Sequence, residues 1–249
     1  MTTQISAFER NTFDNQVIVI TGAASGLGKA AAQLITSRGA TVISLDLNKE
    51  GLAGATESYQ LDVSDQAAVF KVIADIQSKH KRIDALINCA GYPGPTTEFV
   101  EDIKWPDYEK VMAVNLYGAI WLTQAVLPIM KSQKYGRIVQ VASIAGKEGN
   151  PKMAPYNTSK SALIGFVKGV AKEVATMGIT VNALAPAVIK TPINENTSEE
   201  MLKYMVAKIP AGRLGEVDEV AEIISFMASK ACSFTTGFTF DISGGRATY

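Results

Sequence analysis

The chain has 249 residues, 47% of them hydrophobic and 19% charged, with Lys plus Arg equal to Asp plus Glu at 24 each. Those proportions fit one soluble α/β domain with a sizeable core, and the balanced charge offers no basic excess to a nucleic acid or an anionic membrane surface. Cys89 and Cys232 form no C-x-x-C pair and His80 is the only histidine, which argues against a disulfide framework, a zinc site or a Ser-His-Asp triad and leaves no metal to expect.

Residues 1–13 show no apolar stretch behind a basic patch, and no run approaches the roughly 18 apolar residues of a spanning helix. A cytoplasmic protein with a short N-terminal extension is expected. Residues 17–20 form an apolar, β-branched run followed by Thr21-Gly-Ala-Ala-Ser-Gly-Leu-Gly28 and a helical pattern over 29–38. In such a strand, turn and helix, Gly22, Gly26 and Gly28 permit close backbone approach, so a pyrophosphate can sit at the helix amino end, where free N–H groups and the dipole favour anions. A Walker phosphate loop is excluded, because its first glycine would fall at Ala23 and Ala30 replaces the required Ser or Thr.

A strand predicted over 41–45 delivers Asp46, 18 residues past Gly28, near the spacing of an acidic ribose ligand. Its charge would repel a 2′-phosphate and so favours NAD over NADP, with Lys49 read as a surface charge. A third strand over 58–61 ends at Asp62-Val63. A helix over 66–78 then leads, through a basic run around His80 read as a solvated helix end, to a strand over 85–87 and Asn88-Cys-Ala-Gly91. The long helical pattern over 107–130 carries Asn115 among apolar neighbours, a costly position for an amide unless its hydrogen bonds are met.

An apolar run over 138–142 ends at Ser143, a polar turn follows, and a new helical pattern begins near Pro155. Tyr156 and Lys160, four apart, share a face of that helix. A phenol titrates at about 10, and bringing it to roughly 7 requires about 4 kcal/mol of preference for the phenolate. An ammonium within about 4 to 6 Å supplies much of that, making the tyrosine a general acid and base. A second Tyr-x-x-x-Lys pair, Tyr204 and Lys208, has no strand-end serine before it and reads as a solvated helix face.

Ser143, Tyr156 and Lys160 in this order and spacing resemble the short-chain dehydrogenase/reductase family, and the likeness runs over nearly the whole chain. The Thr-Gly-x-x-x-Gly-x-Gly turn is similar to that family's dinucleotide turn. The resemblance implies a single Rossmann-like domain, a doubly wound parallel sheet with helices on both faces, in agreement with the alternation of strands and helices. It also implies NAD contacts at Ser25 and Leu27 in the turn, at Asp62 and Val63 around the adenine, and at Asn88, Ala90 and Gly91. Pro186, Ile189 and Thr191 would meet the nicotinamide end, Lys160 its ribose. Ser143 would position the reacting oxygen, and Asn115 would hold a water in a proton relay leading from the lysine.

Two positions depart from the family pattern. Cys89 stands where Asn is usual, and Pro186-Ala187 where Pro-Gly is usual, so a different local turn is expected because Ala tolerates positive φ poorly. Strands are predicted over 180–183 and 238–242, a specificity lid over about 192–211, and a helix over 159–176 whose small residues Ala162, Gly165 and Gly169 would, by resemblance, help to build a homotetramer. Lys147, Glu148, Asn150, Asn194, Glu195 and Asn196 lie in segments that this reading expects to line the pocket, and they suggest a hydroxylated or carboxylated small molecule. The strings GKEGNP and DISGGRATY resemble those of bacterial dehydrogenases of sugars and 2-keto-3-deoxy sugar acids, with Arg246 reaching a substrate carboxylate, if need be across a subunit interface. The expected reaction is NAD-linked hydride transfer between a secondary alcohol and a ketone. Alternatives are a 3-oxoacyl-carrier-protein reductase, docking its acidic carrier at Lys131, Lys134 and Lys172, and a non-catalytic NAD(H)-binding sensor.

Overall fold

The computed structural model describes residues 12–191, 199–247 and 249; the expected pocket residues Asn194, Glu195 and Asn196 and part of the expected lid lie outside them. Seven strands form one parallel sheet in the order β3-β2-β1-β4-β5-β6-β7. They are β1 (Val17–Thr21), β2 (Thr41–Asp46), β3 (Glu57–Gln60), β4 (Ala85–Asn88), β5 (Gly136–Val141), β6 (Ile179–Pro186) and β7 (Thr239–Ile242). The helices are α1 (Gly26–Ser37), α2 (Gln66–His80), α3 (Trp105–Met112), α4 (Gly118–Gln133), α5 (Ala145–Glu148), α6 (Ala154–Val174), α7 (Glu199–Ala207) and α8 (Val217–Ala228), with a π-helical turn, Ala113–Tyr117, joining α3 to α4.

Alternation along β1 explains the two layers. Val17 and Val19 enter one core with Ile73 of α2, Leu122 of α4 and Leu163 of α6, while Ile18 and Ile20 enter the other with Ile35 of α1 and Ile224 of α8. Successive side chains point to opposite faces, and when both faces are covered the strand reads as an unbroken apolar run. The result is the Rossmann-like, doubly wound sheet expected. Phe13, assigned to the extension, is instead fully buried in the α1 and α8 core.

Strand order reverses between β1, which runs on to β2 and β3, and its other neighbour β4. In open α/β sheets this reversal opens a crevice at the carboxyl ends of the strands. A buried polar chain crosses the sheet there. Thr21 Oγ1 donates to Asn88 Oδ1, Asn88 Nδ2 to Gln140 Oε1 at 3.0 Å, and Gln140 Nε2 to Thr123 Oγ1 at 3.0 Å.

The structure sharpens one local reading and corrects others. Trp105–Gln133 is, by length and composition, apolar enough to span a bilayer, but Val111, Leu122, Val126 and Met130 on it are fully buried and the latter three belong to the core against the sheet, so it forms a layer of the fold. His80 is not a solvated helix end: its Nε2 lies 3.0 Å from Glu57 Oε2 with the side chain 16% exposed. The segment after Ser143 contains the short helix α5, and α8 was not anticipated at all.

Candidate active site

The glycine turn is shaped by what a side chain would hit. Gly22 has φ +67°, and a Cβ on it would lie 2.9 Å from the Ala90 nitrogen; a Cβ on Gly28 would overlap the Gly22 carbonyl oxygen. Helix α1 therefore begins close against the end of β1 and the loop after β4. Ser25, at its N-cap, makes no side-chain capping bond, and the first turn holds no acidic residue. That leaves an uncapped, glycine-lined helix start, which fits the pyrophosphate of a dinucleotide. Leu27 packs into the adjoining core, and Gly26 faces the Thr191 side chain.

Asp46 ends β2 with its carboxylate at the rim of this turn, Oδ2 accepting from the Ala24 nitrogen at 3.0 Å and Oδ1 from the Asn48 nitrogen at 2.9 Å. Asp62 accepts from the backbone and hydroxyl of Ser64, closing an Asx turn; Asp65 caps α2 through the Ala68 nitrogen. Val63 is buried against Gly118 at the start of α4. Beyond β4, the Ala90 nitrogen donates to Thr21 Oγ1 at 3.2 Å. A Cβ on Gly91 would stand 3.6 Å from both Asn115 Oδ1 and Lys160 Nζ, so the loop after β4, the π-helical turn and α6 meet at that glycine.

Lys160 is 3% exposed. Its Nζ donates to the Val141 carbonyl at 2.7 Å and lies 5.8 Å from the Tyr156 ring centroid. Burial pushes the ammonium down to about 8, and burial likewise pushes the neighbouring Cys89 thiol up to about 12, so that it is neutral where the lysine titrates. The phenol of Tyr156 is raised above its ordinary value by burial, with a hydrogen bond from Ser143 working in the opposite direction. This differs from the expectation that Lys160 supplies much of the shift of the tyrosine towards neutrality. In the protein by itself desolvation of the phenolate outweighs neighbouring charge, and the opposing partner is the serine. Ser143 Oγ is held in turn by the Ala145 nitrogen at 3.1 Å.

Asn115 is fully buried. Its Nδ2 donates to the Tyr92 carbonyl at 2.9 Å and to Ser159 Oγ at 3.0 Å, and its Oδ1 accepts from the Tyr92 nitrogen at 2.7 Å. The side-chain amide thus fastens the loop after β4 to α6. Such a π-helical turn inside a helix often accompanies a functional position.

At the end of β6, the Pro186 carbonyl accepts from Ile144 and the Ala187 nitrogen donates to Ile242. Ala187 is not among the residues with positive φ, so the alanine imposes no strain on this turn. Ile189 is buried and bridges Gly215. A cavity of about 90 Å³ lies between this loop and Ile209, Ala211 and Gly215 and includes none of Ser143, Tyr156 and Lys160. Glu148, Asn150 and Arg246 are brought together, but they contact one another: Arg246 donates to Glu148 at 2.9 Å and to Asn150 at 3.2 Å. Tyr204 is 53% exposed, with Lys208 Nζ 4.3 Å from its ring centroid, a surface pair as expected.

Sequence reasoning passed over Gln140, Thr123, Ser159 and Asn157. A signal existed for the first: Thr21, Asn88 and Gln140 are polar residues at or near the ends of otherwise apolar strands, and only mutual hydrogen bonding makes that tolerable.

Residues 22–247 match the family described as enoyl-(acyl carrier protein) reductase. The chain is 44% identical over 240 residues, 93% of its own length and 95% of the relative's, to a 2-dehydro-3-deoxy-L-rhamnonate dehydrogenase (NAD(+)) of Sphingomonas sp. strain SKA58. It is 40% identical over 242 residues, 93% of this chain and 98% of the relative, to a 3-oxoacyl-(acyl-carrier-protein) reductase of Thermotoga maritima. Levodione reductase, a solved structure 29% identical in sequence, superposes with a TM-score of 0.90 over 95% of this chain and 100% of that one. Likeness of that extent, in sequence from the glycine turn to the C-terminal segment and in fold, establishes the kinship: the chain belongs to the short-chain dehydrogenase/reductase family and is an oxidoreductase.

Proposed function

We propose that the protein is an NAD-dependent dehydrogenase of a small polyhydroxylated substrate, a sugar or a 2-keto-3-deoxy sugar acid of the fuconate or rhamnonate type. The observation that carries this reading is the meeting of Lys160 Nζ, 5.8 Å from the Tyr156 ring centroid, with Asn115 at Gly91, and Ser143 standing just past the end of β5. The 44% identity to a rhamnonate-type dehydrogenase supports the substrate class. The carboxylate of Asp46 at the rim of the glycine turn supports NAD over NADP, since a 2′-phosphate there would meet like charge.

In this reading Gly22, Ser25, Gly26, Leu27 and Gly28 hold the pyrophosphate, and Asp46 the adenosine ribose. Asp62 and Val63 border the adenine; Asn88, Ala90, Gly91, Pro186, Ile189 and Thr191 line the remainder. When bound, NAD supplies the acceptor for hydride from the alcohol carbon. Ser143 orients the alcohol oxygen. In the oxidative direction Tyr156, as the phenolate, takes the hydroxyl proton at Oη, and in the reductive direction the phenol gives that proton to the carbonyl oxygen. Lys160 supplies a nearby positive charge that favours the phenolate as it forms. Asn115, engaged through its amide, keeps the loop after β4 and α6 in register around these groups, and its place in a water relay is an extension of the same proposal.

A single-domain, cytoplasmic homotetramer completes the reading. Supporting it are two free cysteines, exposed phenylalanines at the outer edge of the sheet, and open space beside Gly165 and Gly169 on α6. The test is NADH formation across sugars and 2-keto-3-deoxy sugar acids, repeated with NADP and with Tyr156→Phe. NAD-linked oxidation of one sugar acid, lost in the variant, is the expected result. Reduction of acyl thioesters with NADPH alone would favour the carrier-protein reductase reading, to which the Thermotoga maritima relative lends weight. Cofactor binding without any turnover would favour the sensor.

A further inference from the structure

Helix α5 lies between Ser143 and Tyr156 in the chain, and the C-terminal segment grips it and the turn that follows. Arg246, its side chain 7% exposed, reaches Glu148 Oε2 at 2.9 Å and Asn150 Oδ1 at 3.2 Å. Lys147 Nζ is 2.7 Å from Asp241 Oδ2 and also bonds the Tyr249 carbonyl, while the Tyr249 hydroxyl donates to the Lys147 carbonyl at 2.9 Å. On its other side the same segment is fastened to α6. Ser161 Oγ donates to the Gly146 carbonyl at 2.7 Å, and a Cβ on Gly146 would stand 2.7 Å from the Lys160 carbonyl carbon. The Asn150 nitrogen donates to Asn157 Oδ1 at 3.1 Å and Asn157 Nδ2 donates back to the Asn150 carbonyl at 2.7 Å.

The guanidinium of Arg246 is thus matched by a carboxylate of its own chain at low exposure, where a paired arginine acts through directed hydrogen bonds. We propose that Arg246 is a positioning residue: it clamps Glu148 and Asn150, and through them sets the Ser143 hydroxyl and Tyr156 against each other. This replaces the direct contact between Arg246 and a substrate carboxylate expected from sequence. The proposal rests on Ser143 and Tyr156 carrying the chemistry. A displacement of about 1 Å in such a pair is enough to slow turnover by about a hundredfold.

The experiment compares wild type with Arg246→Met, Arg246→Lys and Glu148→Gln. The readouts are steady-state kinetics on an acidic and an uncharged alcohol and hydrogen exchange over residues 143–157. Arg246→Met is expected to lower kcat by about tenfold or more on both substrates with little change in KM, and to quicken exchange in that segment. Arg246→Lys should recover part of the loss, and Glu148→Gln should act in the same direction as Arg246→Met. A carboxylate receptor behaves oppositely: Arg246→Met would raise KM for the acidic substrate alone, and Glu148→Gln, by freeing the guanidinium, would lower it. That pattern, unchanged exchange, or faster exchange with unchanged kcat would overturn the proposal. Turnover surviving in Tyr156→Phe would instead sink the underlying chemistry, while the exchange comparison would still decide the clamp.

Discussion

Lys160 keeps a cation in a buried place, and the protein bears a cost for it. A lysine depressed from 10.5 to about 8 in the folded state binds fewer protons folded than unfolded between those values, so stability rises with pH through that window and the full penalty is present at pH 7. Lys160→Met is therefore expected to abolish turnover yet raise stability by about 1–3 kcal/mol at pH 7. The advantage should shrink towards pH 10.5, as thermal melts at the two pH values would report. At Tyr156 the sign runs the other way round the serine. Ser143→Ala removes the hydrogen bond that opposes the raised phenol pKa, so the rising limb of the pH profile for alcohol oxidation should move to higher pH, with kcat at pH 8 reduced by about 10²-fold. The identities and spacing of these groups were readable from helical periodicity and a strand end. Their proton affinities were not, because desolvation depends on what the rest of the chain lays over them.

Among the elements, strands and the glycine turn were legible because apolar β-branched runs and required glycines are local signals. Helix α8 was missed for a local reason as well: its N-cap is Glu216, reciprocally boxed with Glu219, whereas Ser, Thr, Asp and Asn are the residues that announce a helix start. The π-helical turn at Ala113–Tyr117 hid inside a pattern that otherwise reads as one continuous helix. The buried chain through β1, β4 and β5 depends on its middle member. Gln140→Leu leaves Asn88 Nδ2 without the partner it now has and Thr123 Oγ1 with only its bond to the Ala119 carbonyl, and is expected to cost about 1–3 kcal/mol in urea denaturation. A loss under about 0.5 kcal/mol would mean that the neighbours find other partners.

Across the whole molecule, the outer edge of the sheet is the conspicuous unpaired surface of the described chain. Phe226, Phe234 and Phe238 are 39%, 102% and 55% exposed, and Phe226, Phe238 and Phe240 pack edge to face beside β7. Exposed strand edges and aromatic patches invite partners. If the proposed homotetramer uses this edge, the double variant Phe234→Lys, Phe238→Lys should sediment as a smaller species while its far-ultraviolet circular dichroism stays unchanged. The register between β1 and β4 has another consequence. Thr21 pairs with Asn88, so the central seam joins segments distant along the chain, while β1 with β2 and β5 with β6 are tied by nearer neighbours. Long loops are slow to close. During refolding, helical signal should return first and turnover should lag behind it, because the crevice comes into being only when the two halves of the sheet meet; the enzyme would then carry its own clock for the last step of its assembly.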